Sequence, residues 1–196
     1  MEVSNGVKIL GILGGPRKNG NSDILLNEAL KAACLKGAHV EKIYLYDLNF
    51  KGCIACAGCA KTGKCVLSDD MTPLYKKLRT ADAVIIAAPV YFAGIPAQLK
   101  AMIDRCQSEW VRKYVLKSKV KSKKVKGAFI SVSGFKKDIF FEAAKKPIET
   151  FFKTMDIDFT GELYFTGLEN KGDIKKVKGA LEKAHKLGIE IANARK

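Results

Sequence analysis

Five apolar runs, each followed by a segment with helical spacing, limit what this chain can fold into. Val7 to Leu13 (VKILGIL) reads as a buried strand that ends at Gly14-Gly15. Val40 to Leu48 is rich in β-branched and aromatic residues, and Ala83 to Ala88 (AVIIAA) is apolar on both faces. Val125 to Val132 and Ile157 to Thr166 complete the set. Between them, Asn21 to Gly37 puts Leu26, Leu30, Ala33 and Cys34 on one helical face, and Asp70 to Arg79 reads as a short helix. Leu99, Met102, Ile103, Cys106 and Trp110 recur at helical spacing. Ile139 to Met155 is helical, with Pro147 expected to start or kink it. Ile174, Val177, Leu181, Ala184 and Ile191 mark one face of a last helix. Alternation of this kind predicts a doubly wound parallel α/β sheet with helices on both faces, here as one domain over residues 1–196. Ligands of such sheets bind beyond the carboxyl ends of the strands. The loops after strands one, three and four are therefore the places to look.

The first of these is GGPRKNGNS, Gly14 to Ser22. Its Gly15-x4-Gly20 spacing echoes a nucleotide-hydrolase phosphate loop, but Asn21 stands where that motif needs lysine. It is not the G-x-G-x-x-G dinucleotide fingerprint either. What remains suits a single phosphate: glycines permit close backbone approach, Asn21 or Ser22 opens a helix, and Arg17 can grip two phosphate oxygens. A plain Gly-Asn turn with a capping residue is the alternative. In the loop after strand three, Pro89 ends the strand and Tyr91 and Phe92 fall at the carboxyl edge. A flat apolar ring system can lie against such an edge.

Four cysteines, Cys53, Cys56, Cys59 and Cys65, occupy the segment CIACAGCAKTGKC at spacing C-x2-C-x2-C-x5-C, within a loop spanning 50–70. The N-terminus lacks a basic region and cleavage site, and no stretch of about 18 apolar residues is present, so a cytoplasmic protein with reduced thiols is expected. Zinc sites usually pair two C-x2-C knuckles separated by about 12–20 residues, whereas here all four thiols share one loop with no nearby histidine. Three cysteines at C-x2-C-x2-C can wrap three corners of a cubane, and Gly63 eases the return of Cys65 to the same cluster. The spacing favours [4Fe–4S] over zinc, with unligated thiols as the other alternative. Cys34 and Cys106 fall on apolar helix faces and are expected to be buried.

The formal net charge is +15. It permits an acidic protein partner, but the densest basic run, Lys117 to Gly127, has no interleaved aromatic residues to stack on bases, so no nucleic-acid partner is expected.

GGPRKNGNS followed by APVYFAGIPAQLKAMIDR resembles the flavodoxin-like NAD(P)H-dependent FMN reductase family. CIACAGCAKTGKCVLSDDM resembles the compact cysteine motif of its iron–sulfur flavoprotein branch. The resemblance covers Lys8 to about Arg105 and extends more weakly through ISVSGF and TGELYFTGLENKGDI. It implies a five-stranded sheet of order 2-1-3-4-5 with the cysteine loop after strand two. By position it puts Arg17, Asn21 and Ser22, in a loop with Gly15 and Pro16, on the FMN phosphate. Pro89, Val90, Tyr91, Phe92 and Gly94 would border the flavin ring, and Ser133 and Gly134 its other edge. The family usually has serine where this chain has Gly15, and SVSGFKK is less glycine-rich than the usual fourth-strand loop. The implied function is an iron–sulfur flavoprotein that passes electrons between a one-electron donor of ferredoxin type and a small-molecule two-electron acceptor, with NAD(P)H as the other candidate donor. The implied assembly is a homodimer or homotetramer, with the cluster of one subunit near the FMN of its neighbour. A cluster-free NAD(P)H-dependent FMN or quinone reductase and a zinc-containing basic binding protein are the alternatives.

Overall fold

The computed structural model describes residues 6–118, 120 and 125–193. Lys119 and residues 121–124 of the basic run lie outside the described residues. Five strands, β1 (Lys8–Leu13), β2 (His39–Tyr44), β3 (Ala83–Pro89), β4 (Lys126–Val132) and β5 (Asp158–Phe165), pair in parallel in the order β2-β1-β3-β4-β5. The helices are α1 (Asn21–Leu35), α2 (Met71–Thr80), α3 (Ala97–Arg105), α4 (Gln107–Trp110), α5 (Ile139–Thr154) and α6 (Ala180–Ala192). The expected flavodoxin-like order is what forms.

Alternate residues of the central strands feed two apolar layers, as a period of two requires. Leu10, Ile12, Val84, Ile86 and Phe129 pack with Leu74, Leu78, Met102, Phe151 and Phe152 on the side of α2, α3 and α5. Ile9, Leu13, Ile85, Ala87 and Ile130 pack with Leu26, Ala29, Leu30, Ala184 and Ile191 on the side of α1 and α6. The register brings the carboxyl ends of β1, β3 and β4 level. Backbone pairing then continues one residue further, with Gly14 N donating to Ala87 O at 2.8 Å, Val90 N to Val132 O at 2.8 Å and Ser133 N to Phe165 O at 2.9 Å. Three loops thus leave the sheet side by side.

Several local expectations are corrected. β2 stops at Tyr44, and Leu45–Asp47 form a tight helical turn instead of more strand. The helix expected from Leu99 to Trp110 breaks at Cys106. The Arg105 carbonyl accepts the buried Tyr75 hydroxyl at 2.9 Å, and Glu109 N turns to Cys106 O instead. A wide helical turn, Val111–Val115, follows, and Trp110 is 42% exposed. Pro147 lies inside α5, so of the two expected roles, start or kink, only the start is ruled out. On the last stretch, Ile174 belongs to a separate turn and Leu181 is on the outer side of α6, where Ala180, Ala184, Leu187 and Ile191 are buried. Cys106 is buried as expected, but Cys34 is exposed.

Candidate functional site

One concavity opens at the carboxyl side of the sheet, and a second lies between the cysteine loop and the C-terminal ends of α3 and α5. The first, about 330 Å³, is lined by Gly15, Pro16, Arg17, Asn21, Ser22, Pro89, Val90, Tyr91 and Gly134, nine of the residues selected from sequence. Gly20, Val132, Leu168, Glu169 and Lys171 complete it. Gly20, Asn21 and Ser22 bring the start of α1 to it, where the first N–H groups of a helix have no partner within the helix. Ser22 is buried at this end.

The Asn21 side chain is engaged elsewhere. Its Oδ1 accepts from Gly172 N at 2.9 Å and Ile174 N at 3.2 Å, and its Nδ2 donates to Asn170 O at 2.9 Å. Asn21 therefore latches the loop after β5 onto α1 and brings Glu169 and Lys171 to the cleft, leaving only its backbone N–H for an anion. Gly15 has a packing reason to differ from serine: a Cβ there would lie 2.6 Å from Pro89 Cδ and 3.6 Å from Ser22 Oγ. The loops after β1 and β3 touch at this point, and only a residue without a side chain fits.

Tyr91 and Gly94 exchange two backbone hydrogen bonds of 2.9 Å and enclose a two-residue turn. Its central residues, Phe92 (φ 49°) and Ala93 (φ 59°), are both left-handed, a conformation that such turns usually assign to Asn-Gly. Phe92 is fully exposed, at 104%, and lines no wall of the cleft. Ser133 is buried beneath the loop, its Oγ accepting from Phe135 N at 3.0 Å. Phe92, Gly94 and Ser133 thus sit at the margins, and the other nine form the cleft itself.

The second concavity, about 710 Å³, is lined by Cys53, Cys56, Cys59 and Cys65 together with Trp110, Val111 and Phe151. All four thiols are free, and Cys53 and Cys56 are exposed. Burial raises the pKa of the Cys59 thiol, and the Cys65, Cys53 and Cys56 thiols push it in the same direction. The four groups therefore share one electrostatic environment, although among the described residues no three His, Cys, Asp or Glu side chains stand close enough to hold a metal ion. Ala55 (φ 52°) and Ala57 (φ 56°) flank Cys56 in left-handed conformations. Gly63 (φ 64°) turns the tip onto Arg112, whose Cγ would lie 2.2 Å from a Cβ at that position.

The neck of this loop is closed by Arg105 from the end of α3. Arg105 is 1% exposed. Its Nη1 donates to Lys51 O at 2.8 Å and to Asp69 Oδ2 at 2.6 Å, and its Nη2 donates to Asp69 Oδ1 at 2.9 Å. Asn49 N donates to Asp70 Oδ2 at 2.6 Å just outside. Burial opposes the Asp69 charge, but the Arg105 contacts together with the Met71 N–H outweigh it and hold its pKa below the usual carboxylate range. Behind the loop, the buried Glu109 carboxylate pairs with Arg79 at 3.1 Å and Arg112 at 3.6 Å. Burial raises its pKa and the two guanidinium groups pull the other way. Sequence reading missed Arg105, Asp69 and Glu109. For Arg105 and Glu109 the available signal was a charge on a stretch with apolar residues at helical spacing, and for Asp69 the acidic pair Asp69-Asp70 at the end of the cysteine loop.

A family profile described as NADPH-dependent FMN reductase matches residues 7–146. The chain belongs to that family. It is on that ground a flavin-dependent oxidoreductase that works with FMN. An iron-sulfur flavoprotein of Methanocaldococcus jannaschii is 35% identical over 193 residues, which cover 95% of this chain and 96% of that one. A putative NAD(P)H-dependent FMN-containing oxidoreductase of Bacillus subtilis is 30% identical over 183 residues, 92% of this chain and 96% of that one. Among solved structures, an NAD(P)H:quinone oxidoreductase from Methanothermobacter marburgensis superposes with a TM-score of 0.72 at 16% identity, over 95% of this chain and 96% of that one, a likeness of fold alone. Among the described residues no helix is long and apolar enough to cross a membrane.

Proposed function

We propose that the chain binds FMN in the smaller concavity and a [4Fe–4S] cluster on Cys53, Cys56, Cys59 and Cys65. It then passes electrons between a one-electron donor of ferredoxin type and a two-electron acceptor such as a quinone or oxygen species. The observation that carries this reading is that all four thiols line one cavity, in a loop tied at its neck by a buried arginine. When bound, FMN supplies one- and two-electron chemistry and the cluster one-electron chemistry.

On the protein side, Arg17 and the N–H groups at the start of α1 hold the phosphate, with Ser22 Oγ beside Gly15 as a further donor. Pro89, Val90 and Tyr91 border the ring, the turn through Phe92 and Gly94 forms its outer rim, and Ser133 supports Gly134 opposite. The donor set suits an iron–sulfur group, since soft thiolates are its usual ligands. Left-handed residues such as Ala55 and Ala57 build the N–H-lined nests found at such sites. The two concavities share no lining residue, which favours transfer between chains of a homodimer or homotetramer. A net charge of +15 suits an acidic donor.

The absence of three groups within metal-holding distance, among the described residues, favours a second reading: a cluster-free NAD(P)H-dependent FMN or quinone reductase with structural cysteines. An absorption spectrum of anaerobically purified protein separates the two. Flavin bands over a broad brown shoulder support the first, and flavin bands alone support the second. Zinc without flavin would leave only a basic binding protein.

A further inference from the structure

We propose that Asp23 and Lys42 are positioning residues for the flavin phosphate. Asp23 fixes the phosphate loop, and Lys42 cancels a carboxylate charge that would otherwise repel the anion. The inference rests on the reading of Gly15–Ser22 as the phosphate site.

Asp23 lies in the first turn of α1 and its side chain is wholly buried, at 0% exposure. Its Oδ2 accepts from Asn19 N at 2.6 Å. Asn19 sits at φ 58°, the left-handed bend between Arg17 and the helix start at Asn21. The carboxylate therefore reaches back past the capping residue Gly20 and sets the path of the segment that carries Arg17. A helix cap alone would act on the cap residue itself.

This grip puts a buried negative charge at the helix end where an anion is to bind. Lys42, on β2, answers it. Its Nζ, attached to a side chain only 16% exposed, pairs with Asp23 Oδ1. The same Nζ donates to the Tyr44 hydroxyl at 2.8 Å and lies 4.3 Å from the centre of the Tyr44 ring. Asn27 Oδ1 accepts from it as well. Two residues besides Asp23, Tyr44 and Asn27, hold this ammonium where it neutralises the carboxylate. The pair is thus a neutral bracket: it keeps the geometry that the carboxylate imposes and removes its field from the anion site.

FMN and riboflavin differ by the phosphate alone, so the ratio of their affinities for the full chain, measured by quenching of flavin fluorescence, reads this bracket directly. Lys42→Met should weaken FMN about tenfold, as expected for one uncompensated charge near an anion, and leave riboflavin unchanged. Asp23→Asn in the Lys42→Met background should restore FMN, because the neutral amide oxygen still accepts from Asn19 N. Asp23→Ala in that background should lose it again, because nothing then holds Asn19. If Lys42→Met misfolds and loses both flavins, the contrast between the two double variants decides alone. An unchanged ratio in a folded Lys42→Met protein, or equal ratios in the two double variants, overturns the inference and leaves the phosphate site standing. A wild type that binds riboflavin as tightly as FMN overturns the phosphate site itself, and this inference with it.

Discussion

Arg105 and Asp69 meet in a two-pronged ion pair, Nη1 to Oδ2 at 2.6 Å and Nη2 to Oδ1 at 2.9 Å, at the neck of the cysteine loop. The same guanidinium donates to Lys51 O at 2.8 Å, so one buried side chain from α3 ties the strand-side and helix-side ends of the loop together. The neck of the loop is thus fixed by the fold, and its four thiols line one concavity. Arg105→Met should cost about 3–5 kcal/mol in denaturant unfolding, the range for breaking a buried pair and leaving its partner charged. It should also speed the reaction of Cys59 and Cys65 with a thiol reagent. A variant with wild-type stability and unchanged thiol reactivity would remove Arg105 from this role.

The ion pair has a defined pH window. Asp69 is held below its ordinary value of 3.8, because the Arg105 contacts and the Met71 N–H together outweigh the effect of burial. Its contribution is therefore complete at neutral pH and is lost as the pH falls below 3.8 through the lower folded value. The stability difference between wild type and Asp69→Asn should stay constant from neutral pH down to about 5 and shrink only in stronger acid. A difference that disappears near neutrality would contradict the assignment.

Arg17→Ala removes the charge-assisted contact expected for the flavin phosphate and should weaken FMN by about 1.5–3 kcal/mol. Titration of the variant with FMN measures it directly. Affinity equal to wild type would take Arg17 out of the site.

Gly15→Ser introduces the residue that the resemblance to the family implies at this position, and with it a hydroxyl at the phosphate loop. The contact of 2.6 Å between a Cβ there and Pro89 Cδ argues against a gain in binding from it. The serine must push the loop after β3 away, at a cost of about 1–3 kcal/mol, and FMN should bind more weakly. Tighter FMN binding by the variant would show that Pro89 yields without loss.

The sheet and the cleft at its carboxyl edge were legible because their signals are local. AVIIAA is short, apolar and closed by a proline, as a strand buried on both faces is, and Pro89 and Tyr91 follow it at a fixed distance. The grouping of the four cysteines in one loop was legible for the same reason. Its neck was not: Arg105 reaches Asp69 across 36 positions, and spacing carries no sign of that contact. The break at Cys106 has the same origin, since the Tyr75 hydroxyl that takes the Arg105 carbonyl comes from α2, 30 positions away. Asn21 was placed on the phosphate by position, and its side chain instead serves a loop 149 residues further on. Leu181 was assigned inward because a helix was assumed to run unbroken from Ile174. The left-handed Gly179, at φ 76°, starts the helix afresh and turns Leu181 outward.

The central claim is that one chain carries both a flavin and an iron–sulfur cluster. The most direct measurement is the iron, acid-labile sulfide, zinc and FMN content of protein purified without oxygen, for wild type and for Cys59→Ser. The account predicts about four iron and four sulfide per chain alongside FMN in the wild type. In Cys59→Ser the iron and sulfide should be lost while FMN and the fold remain, because Cys59 lines the cysteine concavity and not the flavin cleft. Wild-type protein that holds FMN but no iron, or a Cys59→Ser variant that keeps its full iron and sulfide, would contradict it.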